Sequence, residues 1–307
     1  MLTISADIYQ KINSVANQIG HTPIIAIQGY HNNDKVKVFA KLEWKQLSGS
    51  VKARAAFNII KEAIVEGRLH EHKTLLDATS GNTGIAYATI GKQLGINVSL
   101  VLPKNASKER KEILHSLGAN IIYSSEFGGT DEAQAKAALL AKQYPDTYFY
   151  ANQYANANNW LAHYNGTALE IIEEQPNITH FVAGIGTSGT IMGTTKRLKQ
   201  YNPSITTIGL QPDFALHGLE GWKHLETAVI PKIYDSKLIN NFLEINTQDA
   251  YDLIGAFYKS HQLLLSPSAA ANLYGAIQVA NSIEEGNVVT ILADNADKYS
   301  EVIHKIL

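Results

Sequence analysis

The chain contains no cysteine. That absence removes disulfides, zinc–thiolate sites, iron–sulfur clusters and thiol nucleophiles together, and it fits a reducing compartment. There is no excess of basic charge. Lys and Arg number 26 against 28 Asp and Glu, a formal net charge of −2, so no general cationic surface exists to grip nucleic acid. Long apolar runs are missing. Stretches such as Val98 to Leu102 are strand-sized, far short of the roughly 20 residues of a membrane-spanning helix. Met1 to Gln10 has neither a basic start nor an apolar signal core. The histidines show no metal-ligand spacing, and His70-Glu-His72 reads as a solvated turn. No G-x-S-x-G elbow appears, which argues against a serine hydrolase. No repeat period of about 20 to 50 residues is visible, so a solenoid is excluded.

What is present is enough for a folded core. The 307 residues are 45% hydrophobic and 18% charged, which excludes a disordered or fibrous chain. The length gives a prior of about two domains, burying about 75% of the unfolded surface. The expectation is a soluble, cytoplasmic, globular protein. Strand and helix patterns alternate. Strands are expected at 35–42, 74–78, 97–102, 120–124, 180–183, 205–210 and 288–292. Helices are expected at 51–67, 84–94, 106–117, 131–143, 159–174, 190–200, 269–283 and 296–306. Alternation with short links argues for parallel sheets covered by helices. No Gly/Ser/Pro-rich linker divides the chain, so two lobes in close contact are expected. Asp213 to Ser236 has no clear periodicity.

Three segments carry chemistry. An apolar strand from Phe181 runs into Gly184-Ile-Gly-Thr-Ser-Gly-Thr190 and then a helix. Glycines let backbone approach an oxyanion, and a helix start supplies N–H groups and a positive dipole end. The spacing is G-x-G-x-x-G, but a dinucleotide fingerprint wants an acid about 20 residues on, and Asp213 lies nearly 30 on. No Lys follows Gly189, which excludes a P-loop. Phosphate binding and a bare strand–helix turn both remain open. Second, Ser50 reads as a helix cap that places Lys52 in the first turn. A cation there opposes the dipole, a conflict that vanishes for a neutral or Schiff-base amine; an ordinary solvated lysine is the alternative. Third, Thr79-Ser-Gly-Asn-Thr-Gly84 joins a strand to a helix and offers hydroxyls and N–H groups to an anion, or else an elaborate N-cap.

Together these segments resemble the fold-type II pyridoxal-phosphate enzymes, and within them the cysteine synthase / cystathionine β-synthase family. S-G-S-V-K-A-R around Lys52 resembles the cofactor-lysine motif, T-S-G-N-T-G at 79–84 the substrate-carboxylate loop, and G-I-G-T-S-G-T at 184–190 the phosphate loop. I-G-H-T-P at 19–23 resembles the N-terminal signature, and Asn152-Gln-Tyr-Ala-Asn156 with His163-Tyr164 a further family segment. The likeness runs from about residue 17 to 300. It is closest to the cysteine synthase B / O-phosphoserine sulfhydrylase branch, through Ile178–Ala183 and Ile230–Asp235.

The resemblance implies an α/β, tryptophan synthase β-like architecture with parallel-rich sheets flanked by helices. Its two lobes are residues 36–146, with the carboxylate loop, and residues 1–35 with 147–307, with the phosphate loop. It implies pyridoxal 5′-phosphate as cofactor and no metal. Lys52 would form the internal aldimine and act as general base. Asn82 would meet the ring oxygen, and Ser266 the pyridine nitrogen, leaving it largely unprotonated. Gly186, Thr187, Ser188, Gly189 and Thr190 would hold the phosphate. Thr79, Ser80, Gly81, Thr83 and Gln153 would hold the amino-acid carboxylate. The implied reaction is β-replacement on O-acetylserine or O-phosphoserine with a sulfur nucleophile, through aminoacrylate, giving L-cysteine. Lys223, in Gly221-Trp-Lys-His224, would pair with a leaving phosphate. A homodimer is implied, with a small amino-acid substrate and a sulfur donor as the only partners, no nucleic acid and no membrane.

Four positions depart from the family pattern: Ala53 for Asp, Ser188 for Gly, Gln211 for Glu and Ser268 for Gly. They keep open another fold-type II reaction (cystathionine β-synthase-like, serine or diaminopropionate lyase, or amine-nucleophile synthase) and a non-catalytic homologue. A nicotinamide dehydrogenase explains neither Lys52 nor the loop at 79–84.

Overall fold

A computed structural model describes residues 6–79 and 81–307. In chain order the first elements are α1 (Ala6–Ala16), β1 (Ile24–Ile27), β2 (Val36–Leu42), α2 (Lys52–Val65), β3 (Thr74–Ala78), α3 (Asn82–Leu94) and β4 (Val98–Pro103). Next come α4 (Lys108–Ser116), β5 (Asn120–Ser124), α5 (Gly129–Gln143), β6 (Tyr148–Tyr150), α6 (Ala157–Ala162), α7 (Ala168–Glu174), β7 (His180–Gly184) and α8 (Gly189–Tyr201). The last are β8 (Thr206–Pro212), β9 (Asn241–Ile245), α9 (Thr247–His261), α10 (Pro267–Ser282), β10 (Gly286–Leu292) and α11 (Ser300–Ile306). Among the described residues no helix is long and apolar enough to cross a membrane.

The chain divides into two compact units. Of the described residues, one unit comprises 6–19, 46–48, 52–79 and 81–159; the other 20–45, 49–51 and 160–307. These bounds differ from the expected lobes. β2 pairs in parallel with β10, Val36 opposite Gly286, so it belongs with the second unit, and α1 belongs with the first.

In the first unit, β5, β4, β3 and β6 form a parallel sheet in that order. Strand side chains alternate faces. Leu75 therefore joins Ile59, Ile60, Tyr87 and Leu100 in one core, while Leu76 and Ala78 join Val101, Ala133 and Ala137 from α5 in another. β4 is buried at every position, as expected of a parallel strand covered on both faces. Because β3 and β6 are adjacent and parallel, the loops after both leave the same edge of the sheet.

In the second unit the order is β1-β2-β10-β7-β8-β9. Only β1 runs antiparallel to its neighbour. Phe181 and Ala183 pack with Ile191 and Leu198 of α8, and Val182 packs with Leu273 and Ala276 of α10. The G-H-T-P signature enters this unit as a buried polar joint. Thr22 donates its hydroxyl to Glu43 Oε1 at 2.7 Å. The Lys41 ammonium, fully buried, donates to the Thr22 carbonyl at 2.6 Å and pairs with Glu170 at 2.9 Å and Glu174 at 3.1 Å.

Several elements differ from the sequence reading. The helix expected at 159–174 is α6 and α7 joined by a π-helical turn at His163–Thr167. The helix expected at 296–306 is a 3-10 turn at Ala296–Lys298 followed by α11. The segments α1, β1, β6, β9 and α9 are additional. Asp213 to Asp235 has no helix or strand, in line with its lack of periodicity. Ser50 is not a cap. It makes a β-bridge with Asp294, and its buried Oγ has no hydrogen-bond partner among the described residues.

Candidate active site

Lys52 is the first residue of α2, half-buried, with no acidic residue in that turn. The chain reaches it through a tight turn with Ser48 at φ 61° and Gly49 at φ 63°. α2 packs on α3. The α3 helix opens at Gly81, whose φ/ψ is non-helical and which offers no side-chain cap. The first N–H groups of a helix have no intrahelical acceptor, so this 13-residue helix presents donors at its start. Ser80 lies outside the described residues. Thr79 is buried, and its Oγ1 accepts the Gly81 N–H at 3.3 Å, which leaves the Thr79 proton to donate elsewhere.

Gln153 joins this loop from the end of β6. It is buried; its Nε2 donates to the Ala78 carbonyl at 3.1 Å, and its Oε1 accepts the Thr83 hydroxyl at 2.8 Å. A carbonyl can only accept, so Ala78 fixes the amide orientation and Thr83 must be the donor. The expected set of Thr79, Gly81, Thr83 and Gln153 is thus brought together within one unit. Behind it lies Asp77, which sequence reading passed over. Its Oδ1 accepts Ala78 N–H at 2.9 Å and its Oδ2 accepts Gln153 N–H at 3.2 Å. Burial pushes its pKa up to about 7, against the pull of these two donors. A single Asp ending an apolar strand (T-L-L-D-A) was the available signal.

In the second unit, the loop after β7 is shaped by close contact. A Cβ at Gly184 would lie 2.0 Å from the Trp222 ring, and one at Gly186 2.0 Å from the Gly221 carbonyl. Gly184 N–H donates to Asn272 Oδ1 at 2.7 Å, and Lys223 N–H to the Ile185 carbonyl at 2.8 Å. Segment 221–223 is therefore laid on the glycine loop, and the buried Lys223 is placed beside it. Ser188 precedes α8 at φ 67°. Its Oγ donates to the Thr187 carbonyl at 2.6 Å and does not cap the helix. Thr190 Oγ1 lies 3.4 Å from His163 Nε2, whose Nδ1 meets Thr167 at 2.9 Å.

Ser266 caps α10 by accepting Ala269 N–H at 3.1 Å, and it donates its proton to the buried Asp294. Its hydroxyl therefore has oxygen lone pairs, not a proton, to present elsewhere. Ser268 Oγ lies 3.3 Å from Ser266 Oγ, and Tyr299 donates to the other Asp294 oxygen at 2.6 Å. Gln211 donates to Glu244 at 3.4 Å and accepts Leu225 N–H at 3.3 Å. Burial lowers the pKa of His217, with the charge of His224 adding to the shift.

These residues fit pyridoxal phosphate. In the second unit the uncapped start of the 13-residue α8, with the Thr187 and Thr190 hydroxyls beside it, suits a phosphate dianion; in the first unit Lys52 carries an amine of the kind that bonds an aldehyde. The profile of the family described as "Pyridoxal-phosphate dependent enzyme" matches residues 15–294. The chain belongs to this family. A cysteine synthase of Aquifex aeolicus is 40% identical over 300 residues, covering 95% of this chain and 92% of that protein. Cysteine synthase B of Pseudomonas aeruginosa is 32% identical, covering 93% and 95%. Among solved structures, cysteine synthase from Entamoeba histolytica superposes with a TM-score of 0.88 at 29% identity, over 100% of this chain and 92% of that one. The O-acetylserine dependent cystathionine β-synthase from Helicobacter pylori gives 0.88 at 30%, over 98% of each. As a family member the chain is an enzyme that uses pyridoxal phosphate, with the parallel-rich fold-type II architecture.

Proposed function

We propose that this chain makes L-cysteine by β-replacement, exchanging the O-linked leaving group of an activated L-serine for a sulfur nucleophile. One observation carries the reading. The first unit holds an amine at the start of α2 and a carboxylate-ready start of α3 on two helices packed together, which is an arrangement for amino-acid chemistry. The names of the full-length relatives support it. Bound pyridoxal phosphate supplies an electron-withdrawing ring that stabilises negative charge at the substrate Cα.

The chain's residues supply the rest. Lys52 would hold the cofactor through its aldehyde, and when the substrate's amine takes that place the freed Lys52 amine would take the Cα proton as general base. The leaving group departs from Cβ, the sulfur adds there, and Lys52 returns the proton to Cα. Thr79, Ser80, Gly81 and Thr83 take the substrate carboxylate, with Gln153 holding Thr83. Asn82 would meet the cofactor ring oxygen and Gly186 to Thr190 would hold its phosphate; Ser266, its proton given to Asp294, would face the ring nitrogen with a lone pair, which suits a protonated nitrogen rather than the unprotonated one expected. The leaving group is acetate or phosphate, and Lys223 is the cation placed to pair with phosphate, as a point charge. The enzyme acts as a homodimer, which light scattering of the purified protein tests, and in the cytoplasm, which fractionation of cells tests.

The test is sulfide-dependent cysteine formation from O-acetylserine and O-phosphoserine separately. The reading expects cysteine from at least one donor, and Lys223→Ala to raise KM for O-phosphoserine about tenfold while changing that for O-acetylserine little. Equal effects on both donors remove the role of Lys223. Turnover that releases ammonia without consuming sulfide replaces the synthase by a lyase.

A further inference from the structure

Asp77 is fully buried and alternates with Leu76 and Ala78, so it lies on the same face of β3 as Leu75. It is one carboxylate with two assignments. Through Oδ1 it holds the start of the loop after β3 at Ala78, and through Oδ2 it holds the loop after β6 at Gln153. Gln153 closes the ring by bonding Ala78 and Thr83 through its amide, and Asn159 Nδ2 pins the Gln153 carbonyl at 2.7 Å. The two loops that carry Thr79, Thr83 and Gln153 thus share one buried acceptor.

We propose that Asp77 is a positioning residue for the substrate α-carboxylate: ionised, its two oxygens fix Ala78 and Gln153, and through Gln153 the hydroxyl of Thr83 at the start of α3. The proposal rests on the reading of residues 79–84 as the carboxylate loop. Both oxygens must accept. Protonation removes the negative charge from both oxygens and makes one of them a weaker acceptor, so the charge-assisted hold on the two N–H groups weakens and the loop loosens. The groups facing Asp77 are Tyr87 from α3, Tyr150 from β6 and Tyr154 from the following loop, each with its own pKa pushed up by burial. None of these is charged near neutral pH, so the ionised form of Asp77 is favoured by its two N–H donors and by the Tyr87 hydroxyl. Its pKa of about 7 puts the switch within the working range.

The experiment compares wild type with Asp77→Asn from about pH 6 to about pH 9. It follows KM for O-acetylserine and the dissociation constant of L-alanine, which carries the carboxylate without a leaving group. In wild type, KM and the alanine constant rise as pH falls through about 7, by about fivefold in all at pH 6, with kcat changing less. In Asp77→Asn both are raised about tenfold even at alkaline pH, and the pH dependence is flat. A purely structural role would lower kcat and thermal stability while leaving the shape of the KM profile unchanged; that result overturns the proposal. If no activated serine turns over but alanine binding follows Asp77, the positioning role stands and the reaction reading falls. Should Asp77→Asn fail to fold, a wild-type alanine constant that stays flat across the range overturns the proposal by itself.

Discussion

Ser188 shows how a single residue carries backbone strain. Its φ of 67° is left-handed, a conformation that costs an L-residue roughly 1–2 kcal/mol, at a place where the family resemblance leads one to expect glycine. Ser188→Gly relieves this strain and loses part of the gain to chain entropy and to the Thr187 contact. It should raise stability by up to about 1 kcal/mol, read from the denaturant midpoint at unchanged slope; a clear loss would contradict the strain. At this scale the sequence named residues that the structure gathers: Thr79, Gly81, Thr83 and Gln153 share one hydrogen-bonded cluster. It was not legible where a role depends on a distant partner. Asp77 reads as one polar residue in a strand until Gln153, 76 residues later, donates to it. Asn272 and Asp294 are silent for the same reason, receiving Gly184 N–H and the Ser266 proton across long separations. The same contact changes what Ser266 can offer, from a hydroxyl proton to oxygen lone pairs.

Elements set the directions of these groups. The helices α3 and α8 each begin without a side-chain cap, and each beginning follows a parallel strand, so both helix starts lie at C-terminal strand edges, where α/β sheets bind ligands. The β1–β2 pair depends on the Lys41 joint rather than on apolar burial alone. Removing the ammonium by Lys41→Ala leaves Glu170 and Glu174 facing each other without their cation, and it should cost about 3–5 kcal/mol. Thermal unfolding checks this; a shift no larger than that of an exposed lysine would show that the joint adds little. Strong helices and buried strands were read to within a few residues. The edge strand β9, largely exposed, and the three-residue β6 left no period to detect. The amphipathic face of α9, with Ala250, Leu253, Ile254 and Phe257 buried, was present in the sequence and was passed over. The π-helical turn at 163–167 has no sequence period of its own, and it brings His163 to Thr190.

Over the whole molecule, each unit has its own parallel sheet, and the chain passes between units several times before residue 52. Local alternation cannot reveal such crossings. The pairing of β2 with β10 joins residues about 250 apart, so the fold class was readable while the lobe bounds were not. The protonation of Asp77 also acts at this scale. Its folded-state pKa of about 7 lies above the unfolded value near 3.9. Between about pH 4 and pH 7 the folded chain keeps a proton that the unfolded chain has released, so this group makes stability fall as pH rises through that window. Asp77→Asn should remove that slope in thermal midpoints of the cofactor-free protein.

The most direct test of the function is the visible absorption spectrum of the purified protein with pyridoxal phosphate, taken for wild type and for Lys52→Ala. Wild type should show the band of lysine-bound cofactor, lose it on addition of O-acetylserine or O-phosphoserine, and regain it on addition of sulfide as cysteine appears. Lys52→Ala should lack the band and form cysteine at least about 10³-fold more slowly. Absence of the band in wild type, or a band in Lys52→Ala that cycles with donor and sulfide as wild type does, would contradict the assignment of Lys52 and the reaction built on it.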